Sequence, residues 1–254
     1  MRSLTSTGKY ISNRIGKAIA DYSLIEDKDR ILVGVSGGKD SLALIELLNE
    51  RKKWAPVDYE LIAFHVESDH LCSNAKLKGA LKAYFKKKKI ESYFKKVKLI
   101  DKKDPRGVSC FWCSWNRRKA LFLAAEELKC NKVALGHHTD DIIETMLLNL
   151  FYQGQFAAMN PAQELFKGKL VIIRPLCYVE EAALKRFAKE SGFPTHLHSC
   201  PSSEISKRKM MKDFIKKVER HCPHVKKNLF RSISRVKEEY IQIKQGGPSA
   251  RPAV

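Results

Sequence analysis

Ile31-Leu32-Val33-Gly34-Val35-Ser36-Gly37-Gly38-Lys39-Asp40-Ser41 is the stretch on which the fold turns. An apolar run at Arg30–Val35, a glycine turn and helical spacing from about Asp40 to Lys53 read as a buried strand passing directly into a helix. Two adjacent glycines let the backbone turn tightly and come close to an anion. The free N–H groups at the helix start would face that anion, aided by the helix dipole. Ser36 and Ser41 add hydroxyls, and Lys39 adds a positive charge. The bland alternative is an ordinary glycine turn capped by Asp40 or Ser41. A bare Gly-Gly would fit that alternative, whereas the full six-residue string exceeds it. Nor is the string the G-x-x-x-x-G-K-[ST] nucleotide loop, because the second glycine and its spacing are missing.

Helical spacing at Leu4–Tyr22 precedes the first strand. Further strands are expected at Tyr59–Val66, Tyr93–Leu99, Lys132–Leu135 and Leu170–Ile173. Helices are expected at Ala75–Lys89, Trp115–Lys129, Asp140–Phe151 and Val179–Ser191, with a loop at Lys102–Cys113. Strands alternating with helices predict an α/β fold, a doubly wound, parallel, five-stranded sheet covered on both faces. The expected organisation is a helical extension at 1–28, the α/β domain at 29–200, a basic helical region at 201–245 and a disordered tail at 246–254.

Lysine and arginine number 48 against 28 acidic residues in 254, a formal net charge of +20. Lys86 to Lys89 form an unbroken run, and basic residues recur from Lys207 to Lys237. Such a surplus favours polyanions, and RNA suits it better than a membrane because no strongly apolar face accompanies the lysines. No apolar run approaches the ~20 residues of a membrane span. Met1–Tyr10 has no signal-peptide core, so the expectation is a cytoplasmic protein. Seven cysteines, an odd number, disfavour a disulfide framework and point to metal or redox use for any close pair.

That pair is Cys110-Phe-Trp-Cys113, running into Arg117 and Arg118. A structural zinc, a redox pair and an iron–sulfur centre all use such spacing. No second C-x-x-C exists to close a zinc site, and a redox pair normally follows the first strand of its fold. Cys200 is the best third ligand. Cys130 and Cys177 read as inert packing residues, and Cys72 and Cys222 receive no role. Trp112 and Trp115 suit either stacking on a base or packing, and Phe151-Tyr152 reads as core. A third motif, Leu135-Gly136-His137-His138-Thr139-Asp140-Asp141, follows a strand and opens a helix. Its acids suit Mg²⁺ beside a nucleotide, or simply cap the helix.

Ser36-Gly37-Gly38-Lys39-Asp40-Ser41 resembles the pyrophosphate loop of the ATP pyrophosphatases. Together with Cys110, Cys113, Arg117 and Arg118, with Ala134–Ile142, Leu148–Tyr152, Ile172–Leu176 and Cys200–Asp213, it resembles the tRNA cytidine 2-sulfurtransferases, the 2-thiocytidine-forming family. The resemblance spans about Leu32 to Phe214. It implies ATP cleaved to AMP and pyrophosphate, adenylation of the cytidine two-position oxygen at tRNA position 32, and sulfur transfer. It also implies a [4Fe–4S] cluster on Cys110, Cys113 and Cys200 with one iron open. Ser36 to Ser41 with Gly136 and His137 would bind ATP. Asp40, Lys39, Arg117, Arg118, Asp140 and Asp141 would carry the chemistry with Mg²⁺. A sulfur donor such as a cysteine desulfurase and a homodimer are further implications. His196 and His198 stand where the family usually has another cysteine, and 105–109 departs from its pattern. Two rivals are weighed: a related enzyme modifying or desulfurating another base, and a basic metal-binding RNA module without turnover.

Overall fold

The computed structural model describes residues 4–68, 75–97, 110–194 and 207–240. Six strands form one sheet in the order β3-β2-β1-β4-β6-β5. They are β1 (Asp29–Gly34), β2 (Tyr59–Ser68), β3 (Glu91–Val97), β4 (Lys132–Ala134), β5 (Ala162–Leu165) and β6 (Leu170–Ile173). The pairs β1–β2, β2–β3, β1–β4 and β4–β6 are parallel, and β5–β6 is antiparallel. The five expected strands are therefore all present, and β5 corrects their number to six. Its sequence, Ala-Gln-Glu-Leu, carries no apolar run. It is a half-exposed edge element that exists because β6 offers it a ladder.

Alternation along the central strands sorts side chains to two faces. Ile31 and Val33 of β1 join Leu61 and Ala63 of β2 in the larger core; Leu32, Ile62 and Phe64 point into the other. The larger core is completed by α1 (Ser6–Tyr22), α2 (Lys39–Arg51), α3 (Ala75–Lys88) and α6 (Glu181–Ser191). Ile11, Ile15 and Ala18 of α1 are fully buried there. Each isoleucine contributes roughly 1.5–3 kcal/mol by leaving water. On the opposite face α4 (Cys110–Glu127) lays Ala120, Ala124 and Ala125 over the strands. A third cluster joins Ile143, Met146 and Leu147 of α5 (Thr139–Gln153) to Met211 and Ile215 of α7 (Lys207–Glu219), with α8 (Val225–Ser232) packed alongside. A 3-10 turn follows at Glu238–Tyr240.

Two further expectations are corrected. The expected loop Lys102–Cys113 gives way at residue 110 to helix, so Cys110 and Cys113 stand one turn apart in the first turn of α4. Phe151 and Tyr152 are exposed and not core, because the last turn of α5 runs past the stripe that α7 covers. The expected disordered tail at 246–254 lies outside the described residues, as do Cys72, His196, His198 and Cys200. Among the described residues no helix is long and apolar enough to cross a membrane.

Candidate active site

Strand order reverses at β1: β2 and β3 lie to one side, β4 and β6 to the other. A crevice outside the carboxyl ends of β1 and β4 follows, where open α/β sheets bind ligands. Both loops singled out in the sequence meet at this crevice. Gly37 has φ +85°, a left-handed conformation that favours glycine, and a Cβ there would lie 2.9 Å from the Leu77 side chain. The loop braces itself. The Gly38 N–H donates to Ser36 Oγ (3.2 Å), the Ser36 N–H donates to Ser41 Oγ (3.2 Å), and the Ser41 hydroxyl donates to the Gly38 carbonyl (2.9 Å). Gly38 caps α2 with no side-chain bond, so the first N–H groups of α2 face the crevice.

The second loop presses directly on this helix start. A Cβ on Gly136 would sit 3.0 Å from Ser41 N and 3.1 Å from the Asp40 carbonyl carbon, a cradle that only glycine leaves open. The neighbouring His138 caps α5 reciprocally. Its Nδ1 accepts from the Asp141 N–H, while Asp141 Oδ2 accepts from the His138 N–H at 3.0 Å. His138 Nε2 lies 4.0 Å from Asp40 Oδ1 and 3.4 Å from Asp141 Oδ2, so carboxylates of both loops flank one imidazole.

Asp140 and Asp141 also hold neighbouring elements. Asp140 Oδ2 accepts from the Glu181 N–H at 2.8 Å, where α6 begins, and its Oδ1 lies 3.2 Å from Lys226 Nζ of α8. Asp141 Oδ1 accepts from Arg208 of α7 at 3.2 Å. Lys39 Nζ pairs with Asp40 at 3.0 Å and with Glu181 at 3.3 Å. Burial alone would raise the Glu181 carboxyl. Hydrogen bonds from Lys212 and Lys185 and the charge of Lys39 outweigh it and hold the pKa at about 2. One carboxylate thus ties the nucleotide loop to the basic C-terminal helices.

The charges of the two arginines of α4 bear on different residues. Burial lowers the His65 pKa, and Arg117 adds to that at the end of β2. Burial pushes His137 down to about 4, with Arg174, Arg208 and Arg118 adding to it against Asp141, so its imidazole is neutral at physiological pH. Arg174, at the end of β6, is buried. Its Nη1 donates to the Asn160 carbonyl and its Nη2 to Gln163 Oε1 (3.3 Å), both neutral acceptors. Burial and the facing Arg118 push it down to about 10. Asp40 Oδ1, His137 Nδ1 and Arg174 Nε are buried without a hydrogen-bond partner among the described residues. A crevice with helix N–H donors, cations and polar atoms awaiting partners suits a phosphate-rich ligand.

All the sequence-derived ATP residues therefore meet at one edge, and Arg118 reaches the same side as His137. Cys110 opens α4, and Cys113 is half-buried. Cys130 and Cys177 are buried, which pushes their thiols up to about 11 and about 12, as inert packing residues require. Glu181, Glu144 and Arg174 were not identified as site residues from sequence. Arg174 carried a signal, because it sits immediately after an apolar strand. Glu181 and Glu144 carried none that separates them from other helical acids.

This crevice and its glycine loop define a PP-loop nucleotide-binding protein, and the family model described as a PP-loop domain matches residues 8–202. Relatives narrow the class further. The chain is 38% identical over 237 residues to the tRNA-cytidine(32) 2-sulfurtransferase of Geotalea uraniireducens, covering 91% of this chain and 93% of that one. It is 39% identical over 235 residues to that of Geobacter metallireducens, covering 91% of each. The chain belongs to the tRNA-cytidine(32) 2-sulfurtransferase family of PP-loop proteins. Among solved structures, the U34-tRNA thiolase NcsA from Methanococcus maripaludis, with its [4Fe-4S] cluster, superposes with a TM-score of 0.73 at 24% identity. The match covers 93% of this chain and 80% of that one, a likeness of fold.

Proposed function

We propose that this protein adenylates the two-position oxygen of a tRNA cytidine, at position 32, and replaces that oxygen with sulfur. The observation that carries the reading is the contact of the Ser36–Ser41 loop with Gly136, which leaves the N–H donors of α2, Lys39 and an unpartnered Asp40 oxygen around one crevice. The cytidine oxygen attacks the α-phosphorus of ATP, the α–β bridging bond breaks, and pyrophosphate leaves into the loop. Lys39 then exchanges its pairing with Glu181 for the departing charge. Asp40 and Asp141, which flank His138, supply carboxylate oxygens for Mg²⁺, which needs only one or two beside the phosphates. Asp140 fixes the ends of α5 and α6 beneath them. Arg118 stabilises charge on the β6 side of the crevice and Arg117 on the β2 side. Neutral His137 presents an unpartnered ring nitrogen to the nucleotide.

Positions 110 and 113, one helical turn apart at the start of α4, fit two thiolate ligands of a common centre. Cys110, Cys113 and Cys200 would hold a [4Fe–4S] cluster. When bound, that cluster would supply the sulfur-transfer chemistry that replaces AMP by sulfide. A cysteine desulfurase is the sulfur source in this reading, the protein is cytoplasmic and acts as a homodimer, and the basic region 201–245 grips the tRNA backbone. Reconstituted protein with ATP, Mg²⁺, sulfide and tRNA should release AMP and pyrophosphate and yield 2-thiocytidine by nucleoside mass spectrometry. ADP as the main product overturns the adenylation step, and a thiolated base other than cytidine overturns the substrate.

A further inference from the structure

The last turn of α5 emerges from the core carrying rings. Phe151 is 56% exposed and Tyr152 43%, and Phe214 of α7 is 44% exposed. These side chains form one surface. The Phe151 and Phe214 rings meet edge-to-face at 5.9 Å between centroids, and the Tyr152 hydroxyl lies 3.3 Å from the Met210 sulfur. The Lys207 ammonium sits 4.4 Å from the centre of the Tyr152 ring. Phe156, just past α5, is exposed as well.

On α7, Lys207, Met210 and Phe214 recur at i, i+3 and i+7 and share a face. Arg208 and Lys212, one turn apart, instead reach Asp141 and Glu181. Helix α7 thus stands between the nucleotide crevice and the aromatic surface, touching both. Exposed apolar clusters rimmed by polar groups mark binding surfaces, and rings interleaved with cations are how proteins hold unpaired bases. A second copy of this chain fits poorly. It would bring Lys207 and Lys217 of one basic helix against another, on chains of net charge +20 each. A polyanion meets the same surface with opposite charge.

Spacing supports the same occupant. Asp141, at the crevice, and Phe151 are ten residues apart on one helix, about 15 Å at ~1.5 Å per residue. That equals roughly four to five nucleotides of stacked strand at ~3.4 Å each. One RNA strand can therefore reach both. We propose that Phe151, Tyr152 and Phe214 form a stacking platform for unpaired bases of the RNA substrate, some four to five nucleotides from the base presented to the nucleotide loop. This rests on the tRNA reading above and adds where the loop bases lie.

The test compares two probes by fluorescence anisotropy, an anticodon stem-loop hairpin and a blunt RNA duplex of the same length. The Phe151→Ala/Phe214→Ala variant should lose about tenfold or more in affinity for the hairpin, since one base–ring stack contributes ~1–3 kcal/mol. Duplex affinity should stay within about twofold and the salt dependence should be unchanged, because the phosphate contacts remain. Phe151→Trp should retain hairpin binding, which a purely structural role for the ring would not favour. ATP binding without RNA should be unaffected. Hairpin binding by the wild type that is unchanged in the variant, or lost equally for the duplex, overturns the platform alone. Failure of the wild type to bind either RNA overturns the tRNA reading along with it. A wild-type dimer that Phe151→Glu splits in sedimentation velocity assigns the surface to self-association and overturns the platform.

Discussion

The two edges of the central sheet treat buried polar groups in opposite ways. At the amino edge, Lys132 and Asp29 are both buried and pair at 2.7 Å. Asp29 Oδ1 accepts from Asn131 (2.6 Å), its Oδ2 accepts from the Glu26 N–H (2.6 Å), and Lys132 also reaches Glu26 at 3.0 Å. At the carboxyl edge, Asp40 Oδ1, His137 Nδ1 and Arg174 Nε have no hydrogen-bond partner among the described residues. Arg30 Nε is the exception at the amino edge. Buried polar atoms left unpaired cost roughly 1–3 kcal/mol each, so their gathering at one edge marks where a ligand completes the set. One edge is built for stability and the other for occupancy.

Four experiments test whether the edges differ in this way. Lys132→Ala should cost about 3–5 kcal/mol of unfolding free energy by urea titration, since it strands the buried Asp29 carboxylate. Pyrophosphate release per folded molecule should stay near wild type. Equal damage to both would erase the distinction between the edges. Lys39→Ala should do the reverse, lowering turnover about 10²–10³-fold, as loss of a positioned charge does, with the urea midpoint unchanged. Gly136→Ala should cost a further ~1–3 kcal/mol, because its Cβ meets backbone that has to move. The loss should be read first as weakened ATP binding in a nucleotide titration, and undiminished affinity would show that the two loops need not touch.

The smallest effect concerns pH. Burial, with Asp141 and Asp140 nearby, raises Glu144 to about 7 against the cations Arg208 and Lys212. The folded state therefore binds a proton that the unfolded chain has already released above its ordinary value of 4.5. Stability should fall as pH rises from about 4.5 through about 7, and Glu144→Gln should flatten that slope. Glu181, held at about 2, acts with the opposite sign. Its contribution is present above 4.5 and lost as pH falls toward about 2, so Glu181→Gln should blunt the acid limb. Urea midpoints measured across this range check both.

The carboxyl edge was legible because both its loops announce themselves locally. A glycine pair after an apolar run, and Gly-His-His-x-Asp-Asp after another, need no tertiary knowledge to be placed at strand ends. What stayed illegible depends on distant partners. Strand β5 exists only through its ladder with β6. Glu181 matters because Lys39, more than a hundred residues earlier, lies 3.3 Å away. Phe151 and Tyr152 continue an apolar pattern that reads as core, and only the position of α7 leaves them outside it. Cys110 and Cys113 read from the sequence as the end of a loop, Lys102–Cys113. Helix α4 nonetheless starts at Cys110 and draws its apolar face from alanines further along.

The position of β1 at the centre of the sheet has a temporal consequence. Its partner β2 follows soon after it, but Arg30 waits for Asn131, 101 residues downstream, to complete the other side. At roughly 5–20 residues per second of synthesis, that side of β1 stays open for about 5–20 s after the strand leaves the ribosome. Asp29 spends the same interval without Lys132. Long-range parallel pairing of this kind is slow to form and sticky while it waits. The nascent chain is therefore most vulnerable between synthesis of β2 and of β4, and that interval is where a folding helper would have the most to do.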